Sequence, residues 1–287
     1  MPHPLLSCRI LSVLCLKLCL CLALPSLAPA ENLPRVIALH AGIAEIILAL
    51  GRGDALIART ATDEALLPHL PSIGTHLRPN VEAIVALRPD HVLYLDGTPI
   101  GDALDLLQSA GIPTTALPGN SLEDLFAALT SLGQLLNAQE EAAAHVQRLK
   151  DGFAALQRHN LSHRPRVLVE LRYPNLLVSG TGSLVQSLIQ AAGGQNAIQA
   201  PDKVVRISEE ELLRAAPEVC IILRGPMHPS PVPYSQRGKV FAALPCTYKG
   251  RVFEADQAAF SRPTPRVLEA AQMLAGWIQA ADAQEMP

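Results

Sequence analysis

From Arg35 onward, short apolar runs alternate with stretches whose apolar residues recur every three or four positions. Arg35-Val36-Ile37-Ala38-Leu39 predicts a buried strand, Gly42 to Leu50 a helix closed by Gly51, and Asp54 to Ala58 a second strand. Asn80 to Leu87 predicts a helix broken at Pro89, followed by the strand His91-Val92-Leu93-Tyr94-Leu95 and a turn at Asp96-Gly97. Pro99 to Ala110 reads as helix, Thr114 to Leu117 as strand, and Leu122 to Leu136 as a helix capped by Ser121. Alternation at these lengths predicts βα units and a parallel sheet.

Ala138 to His159 is rich in helix formers and free of proline, which predicts the longest helix of the chain, roughly 30 Å at 1.5 Å per residue. The pattern then starts over. Arg166 to Leu171 predicts a strand, and Ser183 to Ala192 a helix closed by Gly193-Gly194. Asn80 to Asp90, leading into the strand at His91, parallels Ser208 to Glu218, leading into the strand at Val219. Glu82 precedes Pro89 by seven residues, and Glu210 precedes Pro217 by seven. The simplest architecture is α/β, with two Rossmann-like lobes built on mostly parallel sheets. They comprise residues 31–137 and 162–287, joined by one long helix at 138–161, and a ligand cleft lies between them.

The first thirty residues break the pattern. Arg9 and Lys17 precede the apolar run Leu18 to Leu24 and the small-residue site Ala28-Pro29-Ala30, the three parts of a cleavable export signal over residues 1–30. The run is too short to span a bilayer. Its removal takes four of the six cysteines and leaves 21 basic against 26 acidic residues, net −5, from a starting net charge of −3. A mildly acidic chain has no electrostatic footprint for nucleic acid. Cys220 and Cys246 remain: in an oxidising compartment they form a disulfide, or Cys220, in Val219 to Leu223, is a small buried hydrophobe.

No catalytic constellation holds together: Gly-x-Ser-x-Gly, the phosphate-binding Gly-Lys loop and His-Glu-x-x-His are all missing. Ser179-Gly180-Thr181-Gly182-Ser183 reads as a tight turn, as does Arg52-Gly53-Asp54, and His159 and His163 as solvated. His40, His76 and His228 fall instead in loops beside strand ends, where open α/β sheets place ligand-binding groups. Arg59, Arg78, Arg172, Arg224 and Arg262 fall in similar loops, and together they suggest a cationic pocket for an anionic ligand.

PRVIALHAGIAEIILALGRGDALIA and LPSIGTHLRPNVEAIVALRPDHVLYL in the first half resemble the N-lobe of the helical-backbone periplasmic binding proteins, which deliver cobalamin, ferric siderophores or haem to ABC importers. RVLVELRYPNLLVSGTGSLVQSLIQAAGGQNAI, ISEEELLRAAPEVCIIL and AFSRPTPRVLEAAQMLAGWI resemble the C-lobe, so the likeness covers residues 34–278. It implies a monomeric periplasmic carrier, without catalysis or a resident cofactor, that hands a small metal chelate to a permease dimer driven by a cytoplasmic ATPase. Glu82 and Glu210 match the family's permease-docking glutamates. Thr60, His76 and Arg262 match its ligand-facing positions, with His40, Arg172 and Tyr173 close by. The chain departs from the cobalamin binders in having Thr60, His76, Val204 and Ala259 where they present aromatic rings. Where the haem binders have a tyrosine it has Thr75, followed by His76. His40 and His76 are the candidate metal ligands. The arginines rank a ferric siderophore first, then a corrinoid, haem and a bare metal ion. The competing class is an exported hydrolase or chelatase using His40 and His76 with Glu170.

Overall fold

The computed structural model describes residues 33–157 and 163–283. The export signal expected at 1–30 and the end of the long helix expected at 158–161 lie outside these residues. The first half runs β1 (Val36–Ala38), α1 (Ala41–Ala49), β2 (Leu56–Ala58), β3 (Gly74–Thr75), β4 (Arg78–Pro79), α2 (Val81–Leu87), β5 (His91–Leu95), α3 (Gly101–Ser109), β6 (Thr114–Leu117) and α4 (Leu122–Leu135). The long helix is α5 (Gln139–Leu156). The second half runs β7 (Arg166–Arg172), β8 (Leu177–Ser179), α6 (Leu184–Ala191), β9 (Gln195–Asn196), β10 (Val204–Arg206), α7 (Glu209–Ala215), β11 (Val219–Arg224), α8 (Lys239–Ala242), α9 (Pro245–Tyr248), β12 (Val252–Asp256), α10 (Gln257–Ser261) and α11 (Val267–Ala283).

Two sheets form two lobes. The first, ordered β2-β1-β5-β6, is parallel throughout. Its central strands are apolar on both faces because both are covered. Val36, Ala38 and Leu93 pack toward α1 and α4, while Ile37, Leu39 and Val92 pack toward α2 and α3. The second sheet, ordered β10-β8-β7-β11-β12 with β9 also on β7, is parallel from β7 to β12 and antiparallel at β8 and β10. Helix α5 packs against α4 on one side and α11 on the other, so the main core runs without a break from lobe to lobe.

The repeat read from sequence extends to the atoms. α2 and α7 are each seven residues long and carry side-chain caps at Asn80 and Ser208. Both end in left-handed residues, Arg88 (φ 48°) and Ala216 (φ 43°), immediately before a proline that disfavours continuation of the helix. In the first lobe Arg35 donates to the carbonyls of Leu87 and Arg88, while Asp90 accepts from the Arg35 backbone N–H at 2.7 Å. In the second, Arg166 donates to the carbonyls of Ala215 and Ala216, and Glu218 accepts from the Arg166 backbone N–H at 2.9 Å. Cys220 and Cys246 are joined by a disulfide inside the second lobe, both fully buried. No helix among the described residues is long and apolar enough to cross a membrane.

Candidate functional site

The two lobes meet along a cleft. Pro263 of the second lobe packs directly on Gly42 and Gly119 of the first: a Cβ at either glycine would stand 3.2 or 3.1 Å from the proline ring. Beside this seam the Arg262 guanidinium pairs with Glu45 on α1. One cavity of about 250 Å³ is walled by His40, Thr62 and His76 from the first lobe and by Met227, Gln257 and Arg262 from the second. A neighbouring cavity of about 180 Å³ shares Met227, Gln257 and Ser261 and adds Asn120 and Lys203. Each is below the roughly 300–1,000 Å³ of an ordinary small-molecule site.

His40 follows β1 and caps α1, with its extended backbone turning its Nδ1 to accept a hydrogen bond from the Gly42 N–H at 3.0 Å. That bond fixes the tautomer. Nδ1 carries the lone pair, so the proton of the neutral ring sits on Nε2, which is left to act as a donor. Burial first, then His76, Arg262 and Lys203, lower the His40 pKa from 6.5 to about 4. His76 comes from the β3–β4 turn, its ring edge-on to His40 with centroids 6.0 Å apart. Its pKa is also lowered, by burial working against the carboxylate of Asp63. Among the described residues nothing hydrogen-bonds the His76 ring. A neutral imidazole with a free nitrogen is a metal ligand; an Nε2–H donor is not. Of the two candidate ligands, His76 therefore fits that role, and His40 fits hydrogen bonding to a ligand.

Of the five arginines, Arg262 lines one of these two cavities. Arg59 is spent on its own loop, donating to the carbonyls of Leu70 and Thr60 and pairing with Glu64 at 3.5 Å. Arg224 pairs with Glu254 on the adjacent strand at 2.6 Å. Arg78 is exposed beside the apolar groove of Leu77, Val81 and Leu106, and Arg172 is exposed at the end of β7. Arg262 alone of the five lines the cleft cavities, and its charge is shared with Glu45. Of the arginines expected to form a cationic pocket, Arg262 lines one cleft cavity, with Lys203 in the other, while Arg59 and Arg224 have acidic partners of their own. Thr60 is fully buried, and its Oγ1 donates to Asp63 at 2.7 Å in a capping box.

Tyr173 and His228 belong to a second cluster within the second lobe. Glu170 is fully buried, accepting from Arg237 at 2.6 Å and from the Tyr234 hydroxyl at 3.2 Å. The Arg237 guanidinium lies 4.2 Å over the ring of Tyr173, which meets Phe241 edge-on. His228 Nδ1 stands 3.9 Å from the other oxygen of Glu170, and burial lowers the pKa of the ring despite that carboxylate. Glu170 lines neither cleft cavity, so the trio of His40, His76 and Glu170 expected of a hydrolase does not assemble. Glu82 and Glu210 are exposed, each at the second position of its seven-residue helix.

Sequence reasoning missed Lys203, Met227, Gln257 and Ser261. The signal for Met227 was present: Gly225-Pro226 directly follows the apolar strand, marking a turn at a strand end. Lys203 carries no comparable signal, because the strand it precedes is three residues long and half exposed.

Residues 36–258 match the model of a family described as periplasmic binding protein. A vitamin B12-binding protein of Yersinia pestis (strain Pestoides F) is 28% identical over 257 residues, which span 86% of this chain and 86% of that protein. The solved periplasmic heme-binding protein BhuT, in complex with two hemes, is similar at a TM-score of 0.76 and 25% identity, covering 87% of this chain and 99% of that one. The periplasmic vitamin B12 binding protein BtuF of Vibrio cholerae shares the fold at a TM-score of 0.74 and 21% identity, with 88% and 98% covered.

Proposed function

We propose that this chain, which belongs to the periplasmic binding protein family, captures a metal tetrapyrrole, haem first, in the cleft between its lobes and delivers it to an ABC importer. It is a binding protein of the cobalamin and haem type and not an enzyme, as its relatives are. The observation that carries the choice of ligand is the neutral, unpartnered imidazole of His76 in the cleft. Imidazole can bind only a metal with an open axial position. Haem offers two, whereas a ferric siderophore already surrounds its iron with its own donors. The siderophore reading rested on five arginines, of which Arg59 and Arg224 are paired with Glu64 and Glu254 and Arg262 lines a cleft cavity.

His40 would then donate from Nε2 to a ligand or axial group, and Lys203 with Arg262 would face anionic substituents. Cobalamin is the second reading, favoured by the 28% identity to a vitamin B12-binding protein. Neither cleft cavity is lined by Phe, Tyr or Trp, so ring stacking favours neither tetrapyrrole. Glu82 and Glu210, one on each lobe, dock the monomeric carrier on a permease dimer whose ATPase is cytoplasmic. Export proceeds by removal of residues 1–30.

Titrating the purified mature chain with hemin, cyanocobalamin and a ferric trihydroxamate separates these readings. Hemin is expected to give a stoichiometric shift of its main absorption band, and His76→Ala to weaken binding at least tenfold. Binding of the trihydroxamate with no response to hemin sinks the tetrapyrrole reading.

A further inference from the structure

Between β11 and α8 the chain crosses the second lobe as a strap, Pro226 to Arg237, in which four of twelve residues are proline. His228 and Gly225 exchange backbone hydrogen bonds of 2.9 and 3.2 Å at the turn that starts it. Its other backbone-to-backbone bonds are internal, from the Gln236 N–H to the Pro233 carbonyl and from the Arg237 N–H to that of Tyr234. From His228 on, every third residue is buried, namely His228, Pro231, Tyr234 and Arg237, and the six between them are exposed. That is the three-residue period of an extended, proline-rich chain laid on a surface. Three of the four buried side chains stand around one carboxylate. Glu170 accepts from Arg237 at 2.6 Å and from the Tyr234 hydroxyl at 3.2 Å, and His228 Nδ1 is 3.9 Å from its other oxygen. The Arg237 guanidinium is enclosed by the rings of Tyr173, Tyr234 and Phe241, 4.2, 4.6 and 5.2 Å from their centroids. The first two residues of the strap, Pro226 and Met227, wall the cleft.

We propose that Glu170 is a positioning residue for ligand capture: by fixing the strap from below, it holds the Pro226–Met227 turn in place as a second-lobe wall of the cleft. This rests on the reading that the ligand binds in that cleft. With no ladder to a neighbouring strand, the strap depends on its side chains, and the pair at its far end is buried and charged. Removing the charge of the carboxylate leaves the Arg237 guanidinium buried without a counter-charge. The strap has few backbone ties, so it opens locally while the sheet beneath stays closed. That opening frees the cleft wall at the other end of the strap. A carboxylate that served packing alone would act on melting and not on ligand retention.

The test compares the full mature chain with three variants. These are Glu170→Gln; Tyr234→Phe, which removes one hydrogen bond and keeps the charged pair; and Leu188→Ala, which opens a cavity in the main core on α6. Each is loaded with whichever of hemin, cyanocobalamin and a ferric trihydroxamate the wild type binds. In Glu170→Gln, amide hydrogen exchange over residues 227–237 is expected to quicken about tenfold with β7 and β11 unchanged, and ligand release to quicken about tenfold. Tyr234→Phe is expected to shift both about threefold. Leu188→Ala is expected to lower the melting temperature and to change neither. A Glu170→Gln chain that releases ligand at the wild-type rate, or a Leu188→Ala chain that releases it as fast as Glu170→Gln, overturns the inference and leaves the cleft reading intact. If Glu170→Gln does not fold, Tyr234→Phe decides alone, and exchange and release at wild-type rates overturn the inference. Wild type that binds none of the three ligands overturns both.

Discussion

At the residue scale, His40 shows how a structural duty decides a chemical one. By accepting from Gly42, its Nδ1 stabilises the first turn of α1 and commits Nε2 to donation. Its pKa of about 4 lies below the usual 6.5, so protonation is resisted in the folded state. Above pH 6.5 the ring is neutral folded or unfolded, and there is no penalty. As pH falls toward 4 the unfolded chain takes a proton that the folded one refuses, so stability is lost, by about 2 kcal/mol at pH 5 and roughly 3 kcal/mol in all. His76 and His228 act in the same direction. Urea unfolding of His40→Asn, which keeps a capping acceptor, is expected to show about 2 kcal/mol less loss between pH 7.5 and 5 than wild type. An equal loss would contradict this account of His40. The sequence made His40 and His76 legible because strand ends are local features. It did not make the arginines legible, since Glu254 is 30 residues from Arg224 and Glu45 is 217 from Arg262. Glu170, expected to join His40 and His76 in a hydrolase site, is paired instead with Arg237, 67 residues on.

At the scale of elements, the duplicated helix-proline-strand unit was the most legible feature. Its signals, the capping residue, the spacing from glutamate to proline and the following apolar run, all lie within about fifteen residues. The structure adds the matched arginine clamps on the helix ends, Arg35 on α2 and Arg166 on α7. Each arginine satisfies carbonyls that the proline leaves at the helix terminus. Arg35→Gln and Arg166→Gln are each expected to cost about 1 kcal/mol, at the low end for charged hydrogen bonds because both side chains are well exposed. Urea midpoints check this, and a loss in one lobe but not the other would mean that the two clamps are not equivalent. Less legible were β8, β10 and β12. The first two are three residues long, and the antiparallel pairing of β8 with β7 and β10 leaves no mark in a pattern that otherwise predicts parallel units.

At the scale of the whole molecule, the lobes touch at Pro263 and through the Glu45–Arg262 pair, while Glu82 and Glu210 stand exposed on the two duplicated helices. Two equivalent carboxylates, one per lobe, suit a two-fold basic partner. Reversing both, Glu82→Lys with Glu210→Lys, is expected to abolish uptake in cells and leave hemin affinity unchanged, with either single reversal giving a partial loss. Uptake unaffected by the double reversal would remove the docking role.

The disulfide distinguishes the two halves in another respect. Between residue 22 and residue 219 the chain has no cysteine, so the first lobe is held by packing alone. The second adds a covalent closure of 26 residues, about 3.5 kcal/mol by loop entropy. Redox state therefore acts on one half of the molecule only. While its thiols are kept reduced, the second half lacks that contribution.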